Sequence, residues 1–214
     1  MDGVLIDSEP FYNISVGELI RGLGYPYGEA EIARTTGASF KSTAEMLTPG
    51  EPKEKVARLY VEALVSAVKR VPGLIDGVSE LLDSLCARGV KMAVGSSSPK
   101  EVVDFIAAQF GLNKWMDVIV TGSDSENGKP APDIYLKCAE QLGVTPGECL
   151  VIEDSVNGVK SGKNAGMTVC AFTGTRHHAF DLSEADFELK SYSGPDIAEF
   201  ERRVFPGVIA GRRE

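Results

Sequence analysis

Glu153 and Asp154 stand side by side directly after the apolar run CLVI at 149–152. Two carboxylates at the end of a buried strand repel one another and lose hydration, so the pair is costly unless a cation accompanies it. Mg²⁺ suits such a place, because it takes oxygen ligands, keeps waters and bridges to phosphate. The plain alternative is that Asp154 or Ser155 caps the next helix. A second strand-like run, VKMAVG at 90–95, ends in Ser96-Ser97-Ser98-Pro99. Ser96 and Ser97 could offer a hydroxyl and the N–H groups of the turn to an anion at a helix start. Ser98-Pro99-Lys100-Glu101 fits a capping box, which would commit Ser98 to the helix. A third run, Val118–Thr121, leads into Gly128-Lys129-Pro130-Ala131-Pro132-Asp133. A loop lysine is ordinarily a solvated charge, but two prolines stiffen the backbone beside Lys129 and lower the entropy lost in holding its ammonium on a phosphate. Asp133 is expected to cap the following helix. Asp2 carries no weight by itself, since an N-terminal Met-Asp is common.

The set says more than its members. Aspartyl-phosphate chemistry needs a carboxylate nucleophile, an acid for the leaving oxygen, a lysine and a hydroxyl for the phosphate charge, and Mg²⁺ to shield the attack. Asp2, Ser96, Lys129 and the pair Glu153 and Asp154 supply all but the nucleophile.

The elements that must position these residues follow from periodicity. From residue 71 onward, short β-type runs alternate with helix-period segments. Pro72-Gly73 precedes a helix with Val78, Leu81, Leu82 and Leu85 at i, i+3, i+4, i+7 spacing. Another helix carries Val102, Val103, Ile106 and Phe110 and stops at Gly111. Strand Val118–Thr121, helix Asp133–Leu142, strand 149–152, a helix to about Ala165 and strand 167–172 follow. Such alternation builds right-handed crossovers and an α/β, doubly wound parallel sheet, with the ligand at the carboxyl ends of its strands. Residues 8–70 lack strand signals. Phe11, Ile14, Leu19 and Leu23 suggest one helix, and Val56, Leu59, Tyr60, Ala63, Leu64 and Val68 a second. The expectation is a core formed by 1–7 and 71–214, with an inserted α-helical cap at 8–70 serving as a lid. Residues 177–214 read as polar and irregular, punctuated by Gly and Pro.

Four segments, DGVLIDSEP, AVGSSSP, GKPAPDIY and VIEDSVNGVKSGKNAGM, carry a family resemblance. Together they resemble the haloacid-dehalogenase superfamily, in particular its β-phosphoglucomutase-like subgroup with a helical cap, over roughly residues 1–172. The resemblance implies that Asp2 is the general acid/base and that its carbonyl binds Mg²⁺. It makes Asp154 a metal ligand, with Glu153 beside it as ligand or support. Ser96, Ser97 and Lys129 would hold the transferring phosphoryl group, with Lys129 also neutralising the nucleophile. Asp7 would lie in the hinge loop of the cap, and Gly37, Ser39 and Lys41 in a substrate-specificity loop. In the family's Asp-x-Asp motif Met1 falls on x, so the nucleophile is expected one residue ahead of Met1.

Two positions depart from the mutase pattern. Tyr12 stands where the mutase has His, and Phe40 where it has Arg, although Lys41 is adjacent. Both departures favour hydrolysis of a phosphate monoester over mutase chemistry, which remains the alternative. A catalytically inactive phosphometabolite-binding protein is the reading from another class. Dehalogenation fits less well, because Asp2, Glu153 and Asp154 serve phosphate chemistry. His177 and His178 lack a third metal ligand at matching spacing.

The net charge of −9 argues against a nucleic-acid partner. No apolar run is long enough to span a bilayer. Cys86, Cys138, Cys149 and Cys170 show no metal-finger spacing and are expected to be reduced core residues, which implies a cytoplasmic protein. The expected partner is a small phosphate ester, bound by a monomer.

Overall fold

The computed structural model describes residues 1–35, 40–175 and 180–205. Four helices fall within the stretch expected to form the cap. They are α1 (Glu9–Gly22), α2 (Glu29–Thr35), α3 (Phe40–Leu47) and α4 (Lys53–Val68). The apolar stripes of α1 and α4 face each other: Val16 and Ile20 of α1 join Val56, Tyr60, Leu64 and Val68 of α4 in one buried cluster. The short helices α2 and α3 had escaped the periodicity reading, since seven or eight residues make too few turns to show a stripe.

The remainder alternates as expected. Helix α5 (Val78–Ala87) precedes β1 (Ala93–Ser96), and α6 (Lys100–Phe110) separates β1 from β2 (Val118–Thr121). Helix α7 (Asp133–Leu142) leads to β3 (Leu150–Glu153), and α8 (Val156–Asn164) to β4 (Thr168–Phe172). All strand pairings are parallel. Helices cover both faces because strand residues alternate. Cys170 and Phe172 pack with Leu81, Leu82, Val102 and Ile106 of α5 and α6. Val169 and Ala171 pack with Ile134, Cys138 and Val159 of α7 and α8.

The α/β fold with parallel strands is as expected, and its described strands fall in two groups, β1 beside β2, and β3 beside β4 and then β5 (Phe187–Leu189). Residues 1–7 form turns: the Met1 carbonyl accepts from the N–H groups of Val4, Leu5 and Ile6, and one bridge links Asp2 with Ile6. Other expectations are corrected. The tail read as irregular contains β5 (Phe187–Leu189) beside β4 and helix α9 (Gly194–Val204), whose Phe200 is buried in the main core. Ser98 does not cap α6. Pro99 occupies the cap position with extended backbone and no side-chain cap, so the helix starts one residue later than the capping box implied. Asp133 is the first residue of α7 and ties back the loop at Asn127 instead of capping. The four cysteines are free, and Cys138 and Cys170 are buried, but Cys86 is exposed on α5 and Cys149 half-buried. Among the described residues no helix is long and apolar enough to cross a membrane.

Candidate active site

The carboxyl ends of β1 and β3 face each other across Lys129. From the loop before α7, its ammonium donates to the Gly95 carbonyl on β1 at 3.1 Å, to the Tyr135 hydroxyl at 2.9 Å and to Glu153 Oε1 at 2.6 Å. Lys129 is far from the solvated charge expected of a loop lysine, its side chain being only 10% exposed. The same loop is moored from α8, where Ser161 donates to the Ala131 carbonyl and Asn164 to that of Pro130.

Glu153 ends β3 pointing inward. Its Oε1 accepts from Lys129 and, at 2.7 Å, from Tyr135, while its Oε2 accepts from the Asp154 and Ser155 N–H groups and the Ser155 hydroxyl. The carboxylate lies over Gly158, where an added β-carbon would come within 2.0 Å of the carboxyl carbon. Burial pushes the Glu153 carboxyl up, but Lys129 and the donors around it outweigh that and hold it below the usual carboxylate range. Ser155 does cap α8, accepting from the Gly158 N–H at 3.1 Å, so the structural role and the chemical one coexist in adjacent residues.

Asp154 turns the other way, onto the Met1–Ile6 turn. Gly3 adopts φ +65°, and a β-carbon there would lie 1.9 Å from Asp154 Oδ2, so this approach demands glycine twice over. Burial first, and then the charges of Glu153 and Asp2, raise the Asp154 carboxyl to about 7. Asp154 is half-buried, with the carboxylates of Glu153 and Asp2 acting on it, an environment in which an added cation would favour the ionised form. Among the described residues no cluster of three or more His, Cys, Asp or Glu side chains is shaped to hold a metal. Mg²⁺ does not need such a cage, since it keeps several waters and takes substrate oxygens; Asp154 is the carboxylate here that could take part in holding it.

Asp2 is tethered from three sides. Its Oδ1 accepts from Ser8 Oγ at 2.7 Å and Tyr12 OH at 2.8 Å, both at the start of α1, and its Oδ2 from Ser98 Oγ at 3.1 Å. Burial, and after it Asp2, pushes the Tyr12 hydroxyl well above its ordinary range. Ser96 is buried at the tip of β1, its hydroxyl accepting from the Ser98 N–H at 3.2 Å. Ser97 is exposed in the turn, its carbonyl against Gly122.

The structure thus gathers Asp2, Ser96, Lys129, Glu153 and Asp154 at two neighbouring strand tips. Lys41 lies on α3, away in the chain from these tips, and Gly37, Ser39, His177 and His178 lie outside the described residues. Three partners had gone unread: Tyr135, Ser98 and Tyr12 as a direct ligand of Asp2. Tyr135 was visible only as the last letter of GKPAPDIY, with nothing local to distinguish it from a core aromatic on α7.

Residues 1–172 match the model of the haloacid dehalogenase-like hydrolases, and the chain belongs to that family. By family it is a hydrolase. Among curated relatives, a validoxylamine A 7′-phosphate phosphatase from Streptomyces hygroscopicus subsp. limoneus is 31% identical over 89% of this chain and 90% of its own length. A phosphorylated carbohydrates phosphatase from Thermotoga maritima is 32% identical over 78% of this chain and 79% of its own. A solved β-phosphoglucomutase from Clostridium difficile shares the fold, with TM-score 0.81, 20% identity and coverage of 97% of this chain and 96% of that one.

Proposed function

We propose that this chain is a Mg²⁺-dependent phosphatase of small phosphorylated metabolites, sugar phosphates foremost, acting through an aspartyl-phosphate intermediate. The nucleophile is the Asp that the motif puts directly ahead of Met1. The observation that carries the reading is the meeting of the Lys129 ammonium, the Asp154 carboxylate, the Ser96 hydroxyl and the Asp2 carboxylate at the tips of β1 and β3. Two phosphatases among its relatives, one named for validoxylamine A 7′-phosphate and one for phosphorylated carbohydrates, support a small phosphorylated substrate.

In this mechanism Asp154 and the Asp2 carbonyl would hold Mg²⁺, which would offset charge on the transferring phosphoryl group. Lys129 places a fixed positive charge beside that group, and Ser96 gives it a hydroxyl. Asp2 gives its proton to the departing alkoxide and then takes one from the water that hydrolyses the acyl phosphate. Glu153 serves as support, not as ligand, its oxygens being occupied by five donors. The helices of the cap exclude bulk water and limit substrate size. Tyr12 in place of the mutase histidine favours hydrolysis over mutase chemistry.

The test is inorganic phosphate release, with and without Mg²⁺, from sugar phosphates, phosphoglycolate and phosphopeptides. The proposal expects Mg²⁺-dependent turnover of the sugar phosphates. Preference for the phosphopeptides would contradict it.

A further inference from the structure

We propose that Tyr135 is a positioning residue for Lys129, its buried hydroxyl taking one ammonium N–H and bracing the Glu153 carboxylate that takes a second, so that the third faces the phosphoryl site. The inference rests on the reading of Lys129 as a phosphoryl-binding group.

Three acceptors surround the ammonium, and a lysine has three N–H bonds, so every donor is used. Two of these acceptors are side chains that also bond each other. Lysine can only donate and an ionised carboxylate can only accept, so the hydroxyl between them has one allowed orientation. It accepts from Lys129 at 2.9 Å and donates to Glu153 at 2.7 Å. The result is a closed triangle of Lys129, Tyr135 and Glu153, with Tyr135 8% exposed. The remaining bond, to the Gly95 carbonyl, is the longest at 3.1 Å and is made one residue before Ser96. A phosphoryl oxygen arriving at Ser96 therefore takes the N–H now held by Gly95, while the triangle keeps the ammonium from rotating away.

The tyrosine ring is held as firmly as its hydroxyl. The Lys129 nitrogen stands 4.6 Å from its centroid, and a β-carbon on Gly95 would meet Cε1 at 3.2 Å. Phenylalanine would fill this space equally well. If Tyr135 served only as core, its hydroxyl would be dispensable, and that is what the test separates.

Tyr135→Phe keeps the ring and removes the hydroxyl alone, and a circular dichroism spectrum matching the parent's, with a cooperative melt above the assay temperature, verifies its fold. Two properties are read. The first is solvent exchange of the Lys129 ammonium, seen by ¹H–¹⁵N NMR as the lysine side-chain signal missing from Lys129→Met. The second is binding of inorganic phosphate in Mg²⁺, measured by calorimetry. We expect exchange to accelerate about tenfold or more, and phosphate to bind about tenfold more weakly, the scale of one hydrogen bond to a charged group. Unchanged exchange would overturn the inference. Faster exchange with unaltered phosphate affinity would overturn it too, since the triangle would then do nothing for the ligand. If exchange accelerates but the unsubstituted protein binds no phosphate, the phosphoryl-binding reading of Lys129 fails and the inference with it, while the triangle stands as structure.

Discussion

Tyr12, on α1, donates its hydroxyl hydrogen to the Asp2 carboxylate at 2.8 Å. The residue that departs most visibly from the mutase pattern thus touches the proposed acid/base directly. Ser8 holds the same oxygen from the start of α1 and Ser98 the other oxygen from the turn after β1, so Asp2 is aimed jointly from two elements far apart in the chain.

Tyr12→Phe should therefore impair protonation of the leaving group more than phosphoryl binding. With an alkyl phosphate such as a sugar phosphate, kcat/KM, which reports the step that expels the leaving group, should fall about tenfold, the value of one hydrogen bond to a charged group. With p-nitrophenyl phosphate, whose leaving group needs no proton, kcat/KM should barely change. An equal loss on both substrates would show that Tyr12 serves the fold of the cap only.

Asp154→Asn should abolish nearly all Mg²⁺-dependent turnover, about a thousandfold if several kcal/mol of charge stabilisation are lost. Without Mg²⁺ the variant should be at least as stable as the parent, because it removes a carboxylate that burial, Glu153 and Asp2 all disfavour. Thermal melts in Mg²⁺ and in chelator check both halves: Mg²⁺ should raise the melting temperature of the parent alone.

The pH dependence has a defined sign. The Asp154 carboxyl is raised from its ordinary 3.8 to about 7, so between those values the folded state binds more protons than the unfolded one. Its contribution to the stability of the metal-free protein accordingly falls as pH rises through that window. Mg²⁺ needs the ionised carboxylate and competes with the proton. The Mg²⁺-induced rise in melting temperature should be larger at pH 8 than at pH 5.5. Equal rises would place the metal elsewhere.

Gly158→Ala should destabilise the protein by about 1–3 kcal/mol, as overpacking does, because its β-carbon would overlap the Glu153 carboxylate. Urea unfolding measures this. A neutral substitution would mean that Glu153 can leave the inward position that holds Lys129.

The strand tips and the helices with long apolar stripes were legible in the sequence, because period and turn residues are local. Val118–Thr121 and Asp133–Leu142 match the expected bounds. Ser98 shows where local reading stops. Its capping-box pattern is real as a pattern, yet its hydroxyl goes to Asp2, 96 residues away in the chain, and a charged partner outweighs a cap. Tyr135 was hidden because, although Lys129 is only six residues away, its second partner Glu153 lies at the end of β3, 18 residues on, and reaches it only in the folded chain. Phe187–Leu189 was too short to announce a strand among polar neighbours. The inward turn of Glu153 depends on the missing side chain of Gly158, which no pairing rule for adjacent carboxylates would reveal.

The proposed reaction is a phosphoryl transfer to the first carboxylate of the family's Asp-x-Asp motif, served by Asp2, Ser96, Lys129 and Asp154. The most direct measurement uses a chain extended upstream by its own coding sequence, with Asp or Asn at that position, both checked for folding by circular dichroism. Mg²⁺-dependent release of phosphate from a sugar phosphate is then compared. The account predicts turnover with Asp and essentially none with Asn, although both still bind inorganic phosphate. Equal turnover from the two would contradict it, and would mean that another residue is the nucleophile.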